Sequence, residues 1–217
     1  MDMTETTCSQ IKSPCRIAVF VSGGGTNLQA LFDAQESGIL HSGRIVLVVS
    51  SNPNAYALQR AANAGVPGVV LEKAAFSGQR DWEEALLSLL REQKIDLIVL
   101  AGFMSILSAD FVAHYPERIL NVHPSLIPAF CGKGYYGLRV HKEVLAYGAK
   151  ITGATVHFVN EIPDGGRILL QKAVEILPGD TPETLQRRVM EQAEWILLPQ
   201  ATEQVCAALL VQDKANH

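Results

Sequence analysis

Short aliphatic runs alternate with amphipathic stretches along most of this 217-residue chain. The runs are rich in Val, Ile and Leu, as is typical of parallel strands buried on both faces. They cover Ile17–Val21, Ile45–Ser50, Val69–Leu71, Leu97–Ala101 and Ile119–Val122. Between them, apolar residues recur at helical spacing over Asn27–Glu36, Ala55–Ala64 and Asp81–Glu92. This alternation predicts an α/β fold with a doubly wound, mostly parallel, Rossmann-like sheet.

The pattern changes after His123. Two longer strand candidates, Thr152–Val159 and Arg167–Glu175, are joined by a connection that contains two glycines, which predicts an antiparallel C-terminal extension of the sheet. Thr181 and Pro182 are typical of an N-cap and a first helical residue. They predict the start of a long final helix, with a kink or a break at Pro199. The glycine-rich stretch over residues 129–138 predicts a mobile loop.

The chain has no internal repeat and no stretch with the composition of an interdomain linker. We therefore expect a single domain over residues 15–217. Residues 1–14 are polar and rich in Thr and Ser, without the apolar core of a signal peptide. They predict a disordered N-terminal tail.

Composition narrows the classes of partner. A net charge of −4 leaves no electrostatic footprint for nucleic acid or an anionic membrane, and no apolar run is long enough to span a bilayer. The cysteines lack metal-ligand spacing, which argues against a zinc site, and a disulfide framework is not expected in a chain with this much core. These are Cys8, Cys15, Cys131 and Cys206. We expect a cytoplasmic protein with small-molecule substrates, as a monomer or a homodimer.

Asn121 and His123 end the fifth predicted strand. Side chains two positions apart share one face of a strand, and Pro124, which lacks an N–H, indicates that the strand ends here. In an open parallel sheet this edge is where ligands bind. An amide and an imidazole side by side can catalyse a reaction of an acyl group. One of them stabilises the developing oxyanion, and the other transfers a proton. A hydrogen-bonded structural histidine is the alternative reading.

A glycine triplet follows the first strand and opens the first helix. Glycines allow a tight turn and close approach of a ligand, while free amides and the helix dipole attract an anion. The segment Ser22–Asn27 is therefore predicted to bind a phosphate, the alternative being a plain tight turn. A dinucleotide is disfavoured, because Leu28 stands where the third glycine of that fingerprint belongs. A monophosphate fits better.

Several other polar residues allow a functional and a structural reading. Asp164, which precedes Gly165 and Gly166, either faces the imidazole or forms an ordinary Asp-Gly turn. Arg80 and Glu194 either reach a ligand or lie on solvated helix faces. His157, inside an apolar strand, is interpreted as a core residue. Residues 104, 106 and 107 line an apolar pocket or join the core.

Together these motifs resemble one family, the folate-dependent phosphoribosylglycinamide formyltransferases. The resemblance covers residues 16 to about 201. Its landmarks are the segments Val21–Ala30, Leu100–Met104, Asn121–Pro128, Gly153–Val159 and Asp164–Gly166.

The resemblance implies formyl transfer from 10-formyltetrahydrofolate to the amine of glycinamide ribonucleotide in purine synthesis, without a metal. It implies that Asn121, His123 and Asp164 are catalytic, with His123 protonated. The implied ribonucleotide contacts are Gly24, Gly25, Thr26, Asn27, Arg80 and Glu194, with Glu191 as a rival to Glu194. The implied folate contacts are Met104, Ser105, Ile106, Leu107, Val159, Asn160 and Asp164.

Two related activities share the Asn-x-His and Asp motifs. Methionyl-tRNA formyltransferase carries an additional C-terminal domain and formyltetrahydrofolate deformylase an additional N-terminal one, and we expect this chain to have room for neither. A non-catalytic sensor of phosphorylated ribose compounds is the alternative from a different class.

Overall fold

A computed structural model describes residues 13–215, with side chains through residue 212. The disordered tail predicted for residues 1–14 thus falls almost entirely outside the described part and stays a prediction.

The described chain forms one seven-stranded sheet, in the order β3-β2-β1-β4-β5-β6-β7. Strands β1 to β5 are parallel, whereas β6 is antiparallel to β5 and β7 is antiparallel to β6. The predicted doubly wound sheet with an antiparallel extension is confirmed. The strands are β1 (Cys15–Val21), β2 (Gly43–Ser50), β3 (Gly68–Val70), β4 (Leu97–Leu100), β5 (Ile119–His123), β6 (Ile151–Phe158) and β7 (Ile168–Glu175).

Helices flank the sheet. They are α1 (Thr26–Glu36), α2 (Tyr56–Asn63), α3 (Gln79–Glu92), α4 (Ala109–Ala113), α5 (Leu138–Tyr147), α6 (Pro182–Val189) and α7 (Trp195–Ala215), with a 3₁₀ turn at Lys73–Ala75 and a π turn at Met190–Glu194. The sequence predicted α1 to α3 and the final helical region but missed α4 and α5. Helix α4 has only five residues, and the glycine-rich stretch before α5 obscures its periodicity.

The final helical region is irregular before Pro199, whereas the sequence predicted a kink or a break at this proline. Pro199 does not divide it, since α7 continues past this proline to Ala215. A proline at this position removes the backbone bond to the carbonyl four residues earlier, which belongs to Trp195. The irregular turn lies just before, at residues 190–194, where the chain adopts π geometry.

The core has two layers, one on each face of the sheet, because neighbouring residues of a central strand point to opposite sides. From β1, Ile17 and Val19 enter one layer, with α1 and α7. Ala18 and Phe20 enter the other, which is built around Trp82 of α3. Burial of both faces explains why these strands read as continuous aliphatic runs.

The strand order places ligand-binding loops together. The chain winds from β1 outward through β2 to β3, then returns to the other side of β1 for β4 and β5. The loops after β1 and β4 separate at this reversal, and such a switch point leaves a crevice at the carboxyl ends of the strands. Within residues 13–215, no helix is both long and apolar enough to cross a membrane.

His141 is an unusual core residue on α5. Its side chain is fully buried, and neither ring nitrogen has a hydrogen-bond partner in the described structure. Burial, with a smaller effect of the nearby His123, lowers the pKa of His141 to about 4. The folded protein therefore holds this ring neutral, whereas an unfolded chain protonates it near pH 6.5.

The depressed pKa of His141 predicts acid sensitivity. Between pH 6.5 and pH 4 the unfolded chain binds a proton on His141 that the folded protein does not bind. The free energy of unfolding therefore falls by about 3 kcal/mol as the pH is lowered from 6.5 toward 4. Urea unfolding of wild type and His141→Leu at pH 7 and pH 4.5 measures this difference. We expect the variant to lose much less stability on acidification. The exposed His114→Gln is the control and should follow wild type, and equal losses in all three proteins would contradict the assignment.

Candidate active site

A cavity of about 480 Å³ lies at the carboxyl ends of β1, β4 and β5. The loops after these strands, the hairpin between β6 and β7 and the π turn all contribute to its wall. The lining residues that the sequence predicted are Asn27, Met104, Ile106, Asn121, His123, Asp164 and Glu194.

Strand β5 carries the two side chains at the base of this cavity. Asn121 and His123 occupy alternate positions, and Pro124 follows directly after the strand. In the antiparallel pairing with β6, Asn121 stands opposite His157 and His123 opposite Thr155. The prediction that Asn121 and His123 share one face at a strand end is confirmed.

Asp164 reaches the same place from the connection between β6 and β7. Its Oδ2 lies 3.5 Å from Nδ1 of His123, and its Oδ1 lies 3.5 Å from Nδ2 of Asn121. The amide of Gly132 donates a 2.8 Å hydrogen bond to Oδ2, which ties the glycine-rich loop to the carboxylate. Asp164 has a φ of 56°, a left-handed conformation that non-glycine residues adopt mainly where the surrounding structure imposes it. The structure thus brings the predicted catalytic trio together.

The glycines after Asp164 are explained by packing. A Cβ atom on Gly166 would clash with the carbonyl oxygen of Phe158, the last residue of β6, and one on Gly165 would lie 2.7 Å from Cβ of Ile162. Only glycines allow the turn to pass this close to the strand. This packing holds Asp164 over the end of β5.

Burial and charge act in opposite directions on the two ionisable members of the trio. Burial is the largest influence on His123 and lowers its pKa, against the opposing effects of Asp164 and the Phe130 carbonyl. The implied protonated imidazole is therefore disfavoured in the ligand-free site. For Asp164, burial alone would raise the pKa, but the His157 and His123 imidazoles and the Gly132 amide together lower it. Asp164 is thus ionised at neutral pH.

The glycine turn after β1 has the geometry of an anion site. Gly25 is the N-cap of α1 with a φ of 70°, and no side chain caps this helix end. A Cβ on Gly25 would lie 2.7 Å from Cβ of Ala57. The guanidinium of Arg60 donates from Nε to the carbonyl of Gly24 over 2.9 Å, which places a positive charge beside the turn. Uncapped amides and a helix N-terminus favour a bound phosphate.

The π turn places Glu194 in the cavity wall. Nδ2 of Asn27 donates a 2.7 Å hydrogen bond to its carboxylate, which is buried. Burial raises the pKa of Glu194 to about 7, although the Asn27 bond acts in the opposite direction. Glu191 instead pairs with Arg187 over 2.8 Å on the exposed side of the helix. Of the two rivals, the structure brings Glu194 to the cavity.

The predicted folate contacts other than Asp164 divide into three groups. Met104 and Ile106 line the cavity with side chains that are 53% and 66% exposed. Leu107 is buried in the core layer around Trp82, and Val159 packs against that layer. Ser105 and Asn160 do not line this cavity in the described structure.

Arg80 also lies outside the lining of this cavity. Its side chain is 89% exposed and pairs with Glu84 across one turn of α3, at 3.1 Å. The i,i+4 spacing on an exposed helix face favours this partner. Its neighbour Gln79 donates to the carbonyl of Ile106, so α3 nevertheless contacts the loop after β4.

His157 is a site residue that the sequence does not reveal. Its position in an apolar strand predicts a core residue, and it is buried, yet its Nε2 lies 3.1 Å from Nδ2 of Asn121 and 3.6 Å from Oδ1 of Asp164. Only the register of β5 against β6 reveals this proximity, because the two residues are 36 positions apart. Within residues 13–215, no group of three or more His, Cys, Asp or Glu side chains is placed to hold a metal ion.

The fold and the site define a doubly wound α/β protein with an anion-binding turn and an Asn–His–Asp cluster suited to acyl chemistry. The chain belongs to the formyl transferase family, which it matches over residues 15–202.

Named relatives are similar over most of this chain. It is 39% identical over 199 residues to the chloroplastic phosphoribosylglycinamide formyltransferase of Vigna unguiculata, a match that covers 92% of this chain and 63% of that protein. It is 42% identical to the Haemophilus influenzae phosphoribosylglycinamide formyltransferase, covering 82% and 81% of the two chains. Its fold matches the crystal structure of glycinamide ribonucleotide transformylase 1 from Symbiobacterium toebii with a TM-score of 0.84 and 39% identity, covering 90% of this chain and 89% of that one.

The environment of Gly25 predicts that its substitution is costly. Gly25→Ala places a Cβ against Ala57 at a positive φ, and we expect a loss of about 1–3 kcal/mol in the free energy of unfolding. Gly23→Ala is the matched control, because a Cβ there meets nothing within 4 Å. Denaturant unfolding of both variants tests this, and equal stabilities would show that Gly25 is not required for the turn.

Proposed function

We propose that this protein transfers the formyl group of 10-formyltetrahydrofolate to the amine of glycinamide ribonucleotide, giving the formylated ribonucleotide and tetrahydrofolate. The observation that carries the proposal is the convergence of Asn121 and His123 on Asp164, each with a side-chain nitrogen 3.5 Å from its carboxylate. They lie in a cavity whose wall also includes Asn27, next to the anion-binding turn. The names of the Vigna unguiculata and Haemophilus influenzae relatives support the same reaction.

The ribonucleotide half of the cavity is assigned to the first helix and the π turn. The amides of Gly24, Gly25, Thr26 and Asn27 hold the phosphate, and Arg60 adds a positive charge beside them. Glu194 lies one side chain further into the cavity, where its carboxylate accepts from Asn27. A carboxylate at this depth suits the polar glycinamide group of the substrate.

The folate half is assigned to the loop after β4. Met104 and Ile106 present exposed apolar side chains to the cavity, which is the lining that a flat heterocyclic ring requires. When bound, 10-formyltetrahydrofolate supplies the activated formyl group. Leu107 and Val159 support this half from the core side, and Ser105 and Asn160 stay predicted contacts. Arg80, the remaining predicted ribonucleotide contact, reaches that substrate only if it leaves Glu84, so its role stays a prediction.

Asn121, His123 and Asp164 have different roles in formyl transfer. As the amine attacks the formyl carbon, the carbonyl oxygen becomes negative and accepts hydrogen bonds from the Asn121 amide and the His123 ring. Nε2 of His123 lies 2.9 Å from the Phe130 carbonyl in the ligand-free protein, so it exchanges this partner for the oxyanion. The new negative charge favours the protonated imidazole, opposing the effect of burial on its pKa. Asp164 supports the imidazolium and a water that accepts the amine proton. The intermediate then collapses as the bond between the formyl carbon and N10 of the folate breaks, and the relayed proton passes to N10, which releases tetrahydrofolate. Positioning the two substrates together supplies much of the remaining acceleration.

Two properties of the whole protein stay predictions from its sequence. These are the cytoplasmic setting and the state as monomer or homodimer, and the Vigna unguiculata relative is a chloroplastic protein.

A spectrophotometric assay tests the reaction directly. Purified protein is mixed with 10-formyltetrahydrofolate, with and without glycinamide ribonucleotide. We expect an absorbance change only when the ribonucleotide is present. Loss of the formyl group without the ribonucleotide would instead identify a deformylase, and ribonucleotide binding without turnover would identify a sensor.

Substitution of the oxyanion donors tests the mechanism. Asn121→Ala and His123→Ala should each lower kcat by about 10²–10³-fold, because each removes one oxyanion donor. Circular dichroism and thermal unfolding should show that both variants fold. Near-normal turnover in either variant would remove that residue from the catalytic group.

A further inference from the structure

His157 has a defined tautomer. Its Nδ1 lies 2.8 Å from the carbonyl oxygen of Phe158. A carbonyl oxygen only accepts hydrogen bonds, so Nδ1 carries the proton, and in the neutral ring Nε2 is then an acceptor. Gly166 packs directly against this carbonyl, in a space that no Cβ could share. The carbonyl at the strand end thus fixes the tautomer of the neutral ring, and the turn packs against that carbonyl.

The acceptor nitrogen faces Asn121. Nδ2 of Asn121 lies 3.1 Å from it, within hydrogen-bond distance, whereas Oδ1 of Asp164 at 3.6 Å is beyond that distance. The amide therefore donates one of its two hydrogens to His157. Its second hydrogen lies near Asp164 at the 3.5 Å limit and is weakly held, so it is available to an incoming oxyanion.

This arrangement also opposes the reversed orientation of the amide. If the Asn121 carboxamide rotated by about 180°, its oxygen would face the Nε2 lone pair of His157 and the carboxylate of Asp164. Two acceptor–acceptor contacts in a buried site are unfavourable, because Nε2 of the neutral His157 ring carries no proton to share. The cross-strand pairing of the two residues keeps their side chains next to each other.

We propose that His157 is a positioning residue that holds the Asn121 carboxamide with its N–H groups toward the oxyanion and prevents the reversed orientation. It acts through Asn121 and does not touch the substrates. This inference rests on the proposed formyl transfer, and it goes beyond the trio by assigning a second histidine to the site.

A matched pair of variants separates positioning from mere core packing. In His157→Asn, the shorter amide can still donate to the Phe158 carbonyl but ends short of Asn121. In His157→Gln, the longer side chain can present an oxygen to Asn121 where Nε2 stood. If His157 were only a satisfied core residue, the asparagine variant would suffice and the two would be equally active.

The expected results follow from this difference. His157→Asn should lower kcat by about 10–100-fold, the loss typical of removing an orienting partner. Both KM values should change much less than kcat, because neither substrate contacts His157. His157→Gln should recover most of the lost kcat at similar thermal stability. In the Asn121→Ala background, His157→Asn should cost almost nothing, because the group it positions is already gone.

A second readout is independent of turnover. Two-dimensional ¹H–¹⁵N correlation spectra of the imidazole rings at pH 8 report which nitrogen of His157 carries the proton, and we expect Nδ1. Protonation at Nε2 would overturn the inference, as would equal kcat values for wild type and a folded His157→Asn. An equally large effect of His157→Asn with and without Asn121 would overturn it as well. Absence of formyl transfer by the wild type is a separate result, which would overturn the proposed function itself.

Discussion

The antiparallel pairing of β6 with β5 is the constraint on which the site depends. Strands β1 to β5 form an ordinary parallel sheet, and alone they would place Asn121 and His123 at an open edge. By running back along β5, β6 puts His157 opposite Asn121 and directs the following turn over the strand end. Asp164 can reach both residues only because this turn returns to the same point.

Burial gives the site its chemical character. It lowers the pKa of His123, raises that of Glu194 to about 7, and opposes ionisation of Asp164, whose neighbours nevertheless keep it charged. In a desolvated cavity each polar group is held by another: Asn27 by Glu194, Asp164 by Gly132, and His123 by a loop carbonyl. Such groups are oriented before a substrate arrives, so little reorganisation is needed when charge develops. In the same environment, a polar group without a hydrogen-bond partner raises the free energy of the folded protein. The orientation of the Asn121 carboxamide is therefore important.

The two halves of the chain contribute different parts of the site. The first half supplies the anion-binding turn, where Gly25 is required both by its positive φ and by its contact with Ala57. The second half supplies the trio and the π turn. A π turn widens the helix by one residue, and here it turns Glu194 inward while Glu191 stays outside. Irregular turns of this kind often mark functional positions.

The sequence by itself determined most of the strands, the first three helices, the shared face of Asn121 and His123, and the glycine turn, because these are local patterns whose period follows from backbone geometry. It also pointed to Asp164, through a motif and a family resemblance. Only the tertiary structure decided that His157 belongs to the site, since strand register joins residues 36 positions apart. It likewise decided that Glu194 lies in the cavity rather than Glu191, and that Arg80 pairs with Glu84 outside it. Local spacing specifies which face a side chain occupies, but its partners depend on how distant segments pack.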